Sequence, residues 1–128
     1  MKTLDKVFKL QKQFQEQLSD KGYDQLTMKE RAELIHTHTS FIIEECIEML
    51  REVPFHKPWK DYSNWTDEKL NAQMEKTREE WIDVFIFLMN VGLLLDFDEE
   101  LVEKMYMEKN NINHARQNDP NLGYQPTK

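Results

Sequence analysis

Only three Gly and four Pro interrupt this chain of 128 residues, and most of them stand near the ends of segments. Gly and Pro are the strongest local breakers of regular structure, so a chain this poor in them favours long helices over a turn-rich β fold. Apolar residues recur at helical intervals in four stretches. The first runs from about Thr3 to Ser19 and carries Leu4, Val7, Phe8, Leu10, Phe14 and Leu18. Gly22, just beyond it, suits the left-handed position that follows a helix C-terminus. The second starts near Thr27, where Thr27-Met28-Lys29-Glu30 has the capping-box pattern. It runs to about Glu52, and Pro54 and Pro58 enforce a break after it.

The aromatic-rich stretch from Phe55 to Asn64 reads as an ordered loop. A third helix is expected from about Asp67 to Leu95, with Trp81, Val84, Phe85, Leu88, Val91 and Leu95 on its buried side. A short acidic turn leads into a fourth helix that ends near Arg116. Residues 117–128, with Pro120, Gly123 and Pro126, read as an extended tail. The expectation is a single all-α domain over residues 1–128, a compact bundle of four main helices with short connections. A chain of this length can bury about two-thirds of its unfolded surface.

The formal net charge of −7 disfavours nucleic acid as a partner, because phosphate contacts need a basic surface. It leaves room for a small phosphorylated substrate, since divalent cations can join an acidic protein to an acidic ligand. The single Cys46 rules out an internal disulfide and fits a reducing, cytoplasmic setting. A packed, inert thiol is expected there. No N-terminal apolar run resembles a signal peptide. The most apolar stretch, Trp81 to Leu95, contains Asp83 and Asn90 and is too short to span a bilayer, so no membrane partner is expected.

Within the second and third helical stretches lie two carboxylate pairs, Glu45-x-x-Glu48 (preceded by Glu44) and Glu80-x-x-Asp83. Residues three apart share a helix face, with Cβ atoms roughly 5–6 Å apart. Glu45 stands three residues from Ile42 and four from Met49. Asp83 stands four from Phe87, and Glu80 four from Val84. The acids thus continue apolar stripes, whereas solvated acids would sit on the opposite face. Buried carboxylates are costly unless paired or bound to metal. One such pair alone reads as exposed acids in helix ion pairs with Arg51, Lys76 or Arg78. Two pairs on successive helices point to an oxygen-ligand site for Mg²⁺, with room for two or more ions. No Cys/His spacing suggests zinc. His36, His38, His56 and His114 read as surface or packing residues.

Two further groups stand out. Lys109, Asn113 and Arg116 share a helix face and offer a point charge, an amide and a guanidinium, a reasonable polyphosphate clamp. Basic residues near a helix C-terminus are also favourable in themselves. Trp59-Lys60, in the Pro-bounded loop, could stack on a base and touch a phosphate. Packing of the Trp beneath the loop is the plainer reading.

Taken in order, Glu44-Glu45-x-x-Glu48, Glu80-x-x-Asp83, and Lys109-Asn110-x-x-Asn113-x-x-Arg116-Gln117 with a trailing Gly123-Tyr124 resemble the all-α NTP pyrophosphatase superfamily. That superfamily includes the MazG-like enzymes and the dimeric dUTPases. Leu10-Gln11 and Trp59-Lys60 resemble motifs of the dUTPase branch, and the likeness covers about Leu10 to Tyr124. It implies Mg²⁺-dependent hydrolysis of dUTP to dUMP and pyrophosphate by a homodimer or homotetramer. Glu45, Glu48, Glu80 and Asp83 would be the metal ligands; Glu45 and Glu48 would be catalytic, with Glu45 orienting or deprotonating the attacking water. Lys109, Arg116 and Tyr124 would hold phosphates. Asn113 would face the sugar or a phosphate, and Gln11 and Trp59 the base, with Lys60 beside them. Gln15 stands where the dUTPase pattern has Asn, so a dCTP or broader dNTP pyrophosphohydrolase is the alternative. A non-catalytic helical nucleotide-binding module is the second.

Overall fold

The computed structural model describes residues 2–119 and 121 and is all-helical over them. Four helices follow in order: α1 (Lys2–Leu18), α2 (Met28–Glu52), α3 (Asp67–Leu94) and α4 (Glu99–Asn118). A short 3₁₀ turn, Tyr23–Gln25, lies between α1 and α2. None of the helices is long and apolar enough to cross a membrane.

Three helix starts are fixed by side-chain caps, as expected for Thr and Asp at that position. The Glu30 N–H donates to the Thr27 hydroxyl at 3.1 Å, and the Glu30 carboxylate accepts from the Thr27 N–H at 3.1 Å. Thr66 accepts from the Lys69 N–H at 3.2 Å, and Asp98 from the Leu101 N–H at 2.8 Å. Gly22 does not occupy the expected left-handed position. Its φ is −70° and it leads into the 3₁₀ turn, because α1 already ends at Leu18, four residues earlier.

The left-handed cap belongs instead to Asp96, at φ 59°. There the Phe97 N–H donates to the Gly92 carbonyl at 2.9 Å and the Asp96 N–H to the Leu93 carbonyl at 3.1 Å, a Schellman closure of α3. An L side chain in that region costs about 1 kcal/mol or more. Arg31 offsets this. Its guanidinium donates to Asp96 Oδ1 and the Leu94 carbonyl, both at 3.0 Å, and to the Tyr23 carbonyl at 2.8 Å.

Helices α2 and α3 form the long antiparallel pair at the centre. Gln73 Nε2 donates to the carbonyl and carboxylate of Glu52 at 2.6 and 2.8 Å at one end. Phe41 and Phe87 meet further along, with ring centroids 5.4 Å apart. Helix α1 lies against α3, where Gly92 lets the Phe8 ring approach; a Cβ on Gly92 would come 3.3 Å from Phe8 Cε1. The chief packing partner of α4 is α1.

Phe8, Met89 and Leu94 make up the fully buried large apolar core among the described residues. The expected buried side of α3 is only partly buried: Trp81, Leu88 and Leu95 are 54%, 50% and 51% exposed. The reason is that α3 is apolar around most of its circumference between Trp81 and Leu95. Within one chain, α2 and α1 cover only part of it. Leu10, Phe14, Leu18, Ile43 and Ile47 are likewise exposed. The chain exposes 10304 Å², whereas a compact monomer of this size exposes about 7,200 Å². Cys46 is exposed, not packed as expected. The Phe55–Asn64 loop is held by an aromatic chain, with Phe55 4.9 Å from Tyr62 and Tyr62 5.1 Å from Trp65.

Candidate metal centre

The antiparallel register of α2 and α3 brings the two carboxylate pairs to one place. Glu45, Glu48 and Glu80 each present an oxygen within 4.8 Å of the others. Glu45 and Glu80 are half-buried and Glu48 is exposed. Asp83 oxygens fall outside this trio, but its negative charge acts on both Glu45 and Glu80. Asp83 therefore borders the group that sequence spacing placed it in.

Electrostatics at the cluster are one-sided. Burial pushes the Glu45 carboxyl above the usual glutamate range, and Glu48, Asp83 and Glu80 push it further in the same direction. Burial also raises Glu80, followed by Glu48, Asp83 and Glu52. Among the described residues, the leading influences on both carboxyls are burial and other acids. Oε2 of Glu45 and Oε2 of Glu80 are both out of solvent's reach without a hydrogen-bond donor among the described residues. Carboxylates packed together without a cation or donor are unstable against their own repulsion and desolvation. A hard divalent cation meets the demands of this donor set, because it takes carboxylate oxygens and supplies the missing positive charge.

The other sequence candidates divide into those near the α2–α3 seam and those away from it. Gln11 on α1 donates from Nε2 to Oδ1 of Asn90 at 2.8 Å. Gln15, one turn along α1, lines a cavity of about 280 Å³ together with Tyr23, Leu34, His38 and Leu94. Lys60 lines a smaller cavity of about 190 Å³ with Arg51, Glu52, Lys57 and Gln73, close to the Glu52 end of the acid cluster. Trp59 projects outward and is 81% exposed. It does not pack beneath the loop, because Phe55, Tyr62 and Trp65 already fill that space.

The α4 candidates lie along the surface of that helix. Asn113 and Arg116 lie on the exposed surface of α4. Lys109 lines an apolar groove of about 380 Å³ with Leu88, Leu95, Met105 and Tyr106. Tyr124 lies outside the described residues.

Three residues were missed by sequence reasoning. Glu52 acts on Glu80 through its charge; its seven-residue spacing from Glu45 puts it on the same face of α2. Asn90 is 1% exposed with Nδ2 unpartnered among the described residues, and an Asn inside an apolar stretch was the available signal. His38, read as surface or packing, has a buried Nδ1 without a partner among the described residues. No protein-family model, curated protein or solved structure matches the chain.

Proposed function

We propose that this chain is a Mg²⁺-dependent nucleoside triphosphate pyrophosphohydrolase that acts on dUTP and works as an oligomer. The observation that carries the reading is the trio of Glu45, Glu48 and Glu80, with two buried oxygens lacking donors among the described residues and other acids as the leading charges on them. The chain thus has a concentrated negative site that a cation completes. The dUTP preference rests on the family likeness of Leu10-Gln11, Trp59-Lys60 and the α4 motif.

In this reading Glu45, Glu48 and Glu80 hold Mg²⁺, with Asp83 beside them. Bound there, Mg²⁺ would supply the positive charge that polyphosphate binding and water activation require. Glu45 orients the attacking water and takes its proton on a carboxylate oxygen as the new bond to phosphorus forms. The bond to the departing pyrophosphate oxygen breaks on the opposite side. The raised affinity of Glu45 for a proton suits that role. In this reading Lys60, which lines the small cavity beside Glu52, meets a phosphate.

The exposed apolar surface supports the oligomeric part of the reading. Leu88, Leu95, Met105 and Tyr106 line a groove that a second copy would cover, and contiguous apolar surface of this kind marks an interaction site. In this reading Lys109, Asn113 and Arg116 hold the phosphates, from the same chain or from a second copy.

The test is a panel of dNTPs with pyrophosphate detection, run with Mg²⁺ and with chelator. Release of pyrophosphate from dUTP in Mg²⁺ alone is expected. Equal rates on all dNTPs would remove the dUTP assignment, and no turnover of any would leave the binding-module reading.

A further inference from the structure

We propose that the loop between α2 and α3 forms a binding site for a phosphoryl anion, gripped by Arg51, Lys57 and Lys60 without a divalent cation. The site needs neither the acid trio nor a base and sugar, so it stands apart from the hydrolase reading.

The chain carries 24 acids against 17 Lys and Arg, yet the cavity of about 190 Å³ at the end of α2 has the opposite balance. Arg51, Lys57 and Lys60 line it together with His56, and Glu52 is the one acid among the described lining residues. That acid is already engaged: its carboxylate accepts from Gln73 Nε2 at 2.8 Å. Arg51 and Lys57 make no ion pair among the described residues. For Arg51 this is informative, because Glu48 stands three residues before it, a spacing that permits a helix ion pair. Lys9, Lys12 and Arg78 all take such partners on their own helices. A cation near a helix C-terminus is favourable in itself, and that accounts for Arg51 alone. Lys57 and Lys60 lie beyond the last turn of α2. Like charges around one concavity repel one another and focus a positive potential into it. A bound anion relieves the repulsion and uses the potential.

The loop holds these groups in place before any ligand arrives. Phe55 has φ 75°, a left-handed conformation that costs an L residue about 1–2 kcal/mol. Its ring packs on Tyr62 at 4.9 Å, and Tyr62 on Trp65 at 5.1 Å. The Tyr62 hydroxyl accepts from the Lys57 N–H at 3.2 Å, and the Lys57 carbonyl from the Lys60 N–H at 3.0 Å. The Lys60 ammonium stands 5.9 and 5.8 Å from the Tyr62 and Trp65 ring centroids, within cation–π range. Strained backbone persists only where its surroundings over-determine it, and it gathers at binding sites. Donors set in advance lower the ordering cost of binding.

Size and chemistry choose the ligand. The cavity is smaller than the roughly 300–1,000 Å³ of pockets that enclose drug-sized molecules, so a base and sugar are too large for it. Guanidinium and ammonium groups are established partners of phosphoryl oxygens. A phosphate or pyrophosphate offers oxygens on several sides and can meet all three cations at once, which one carboxylate cannot. Free inorganic phosphate or pyrophosphate and the phosphate chain of a nucleotide share this chemistry.

The experiment is calorimetry with inorganic phosphate and pyrophosphate in buffer stripped of metal. It compares wild type with the double variant Arg51→Gln, Lys57→Gln. A control, Lys29→Gln with Lys104→Gln, removes the same charge from exposed positions on α2 and α4 outside the cavity. The expected result is saturable one-to-one binding of pyrophosphate to wild type, weakened at least about tenfold in the double variant and less than about threefold in the control. No heat at millimolar pyrophosphate, binding that appears only when Mg²⁺ is added, or equal weakening in variant and control would each overturn the site. Should the double variant not fold, Lys57→Gln alone, on an exposed loop residue, is read in the same way and must weaken binding at least about threefold. Competition by dUTP in the same metal-free buffer separates the sources. Displacement of pyrophosphate assigns the site to a nucleotide's phosphate chain as well, and no displacement assigns it to the free inorganic ion; either result keeps the site. Turnover does not enter the readout, so a failure of the hydrolase reading leaves this test intact.

Discussion

Glu48→Gln is the most informative single change, because its effect on stability should reverse sign with the cation. Glu48 is the exposed member of the trio and shares oxygens within 4.8 Å with Glu45 and Glu80. It is also the acid that most raises both neighbours. Removing its charge without changing its shape relieves that repulsion, so in chelator the variant should melt at or above wild type. With Mg²⁺ the order should invert. At a concentration a hundred times the dissociation constant, binding stabilises the native chain by about 2.7 kcal/mol, roughly 10 °C in Tm for a domain of this length. Losing one of three carboxylates should weaken affinity at least 10–100-fold, the range seen when even supporting partners of a metal site are removed. At the same Mg²⁺ concentration the gain then shrinks to between about 1.4 and 0.4 kcal/mol. Differential scanning fluorimetry on both proteins, in chelator and in a Mg²⁺ series, reads the crossing directly. If Mg²⁺ leaves wild-type Tm unmoved, or Glu48→Gln keeps the full Mg²⁺ gain, the three acids are not a cation site and the hydrolase reading loses its support.

Other outcomes follow from the same structure. Leu88→Asp should shift the chain to a smaller species in light scattering, since it places a charge in the groove beside Leu95 and Tyr106; an unchanged mass would mean that this face is not the interface. Arg31→Ala should cost about 3 kcal/mol in urea unfolding, because it removes three hydrogen bonds from a largely buried guanidinium. Arg31→Lys should recover little of that loss, as an ammonium cannot reproduce the fork. Burial lowers the His38 proton affinity below its ordinary value of 6.5. Its stabilising contribution is therefore present above that pH and lost as pH falls through the folded value, so His38→Gln should narrow the acid-side loss of Tm. Glu45 and Glu80 have the opposite sign. Their raised proton affinity makes the cation-free chain lose stability as pH rises through the carboxylate range, and saturating Mg²⁺ should abolish that slope.

Helix positions were legible in the sequence because their signals are local. The capping box at Thr27, the break at Pro54 and the acids near Asp98 each act within a few residues. The meeting of Glu45, Glu48 and Glu80 was legible too, since acids inside two apolar helical stretches have few places to go. The buried face of α3 was misread because periodicity identifies an apolar stripe but not which stripe a short chain can cover. Trp81, Leu88 and Leu95 satisfy the spacing as well as Met89 and Leu94 do. The Gln11–Asn90 bond spans 79 positions, and no local pattern announces it. The left-handed corner fell on Asp96, not Gly22, because the partner that favours it, Arg31, is distant in sequence.

That corner has a mechanical consequence. Helix α4 has 20 residues, a rod about 30 Å long, and its direction is set by the backbone angles at Asp96. A rotation of a few degrees at the joint sweeps Arg116, near the far tip, through more than an ångström, while residues beside the joint scarcely move. Substitutions at Arg31 or Asp96 should therefore re-aim side chains a full helix away, so a loss of function there would mimic damage to residues that remain intact.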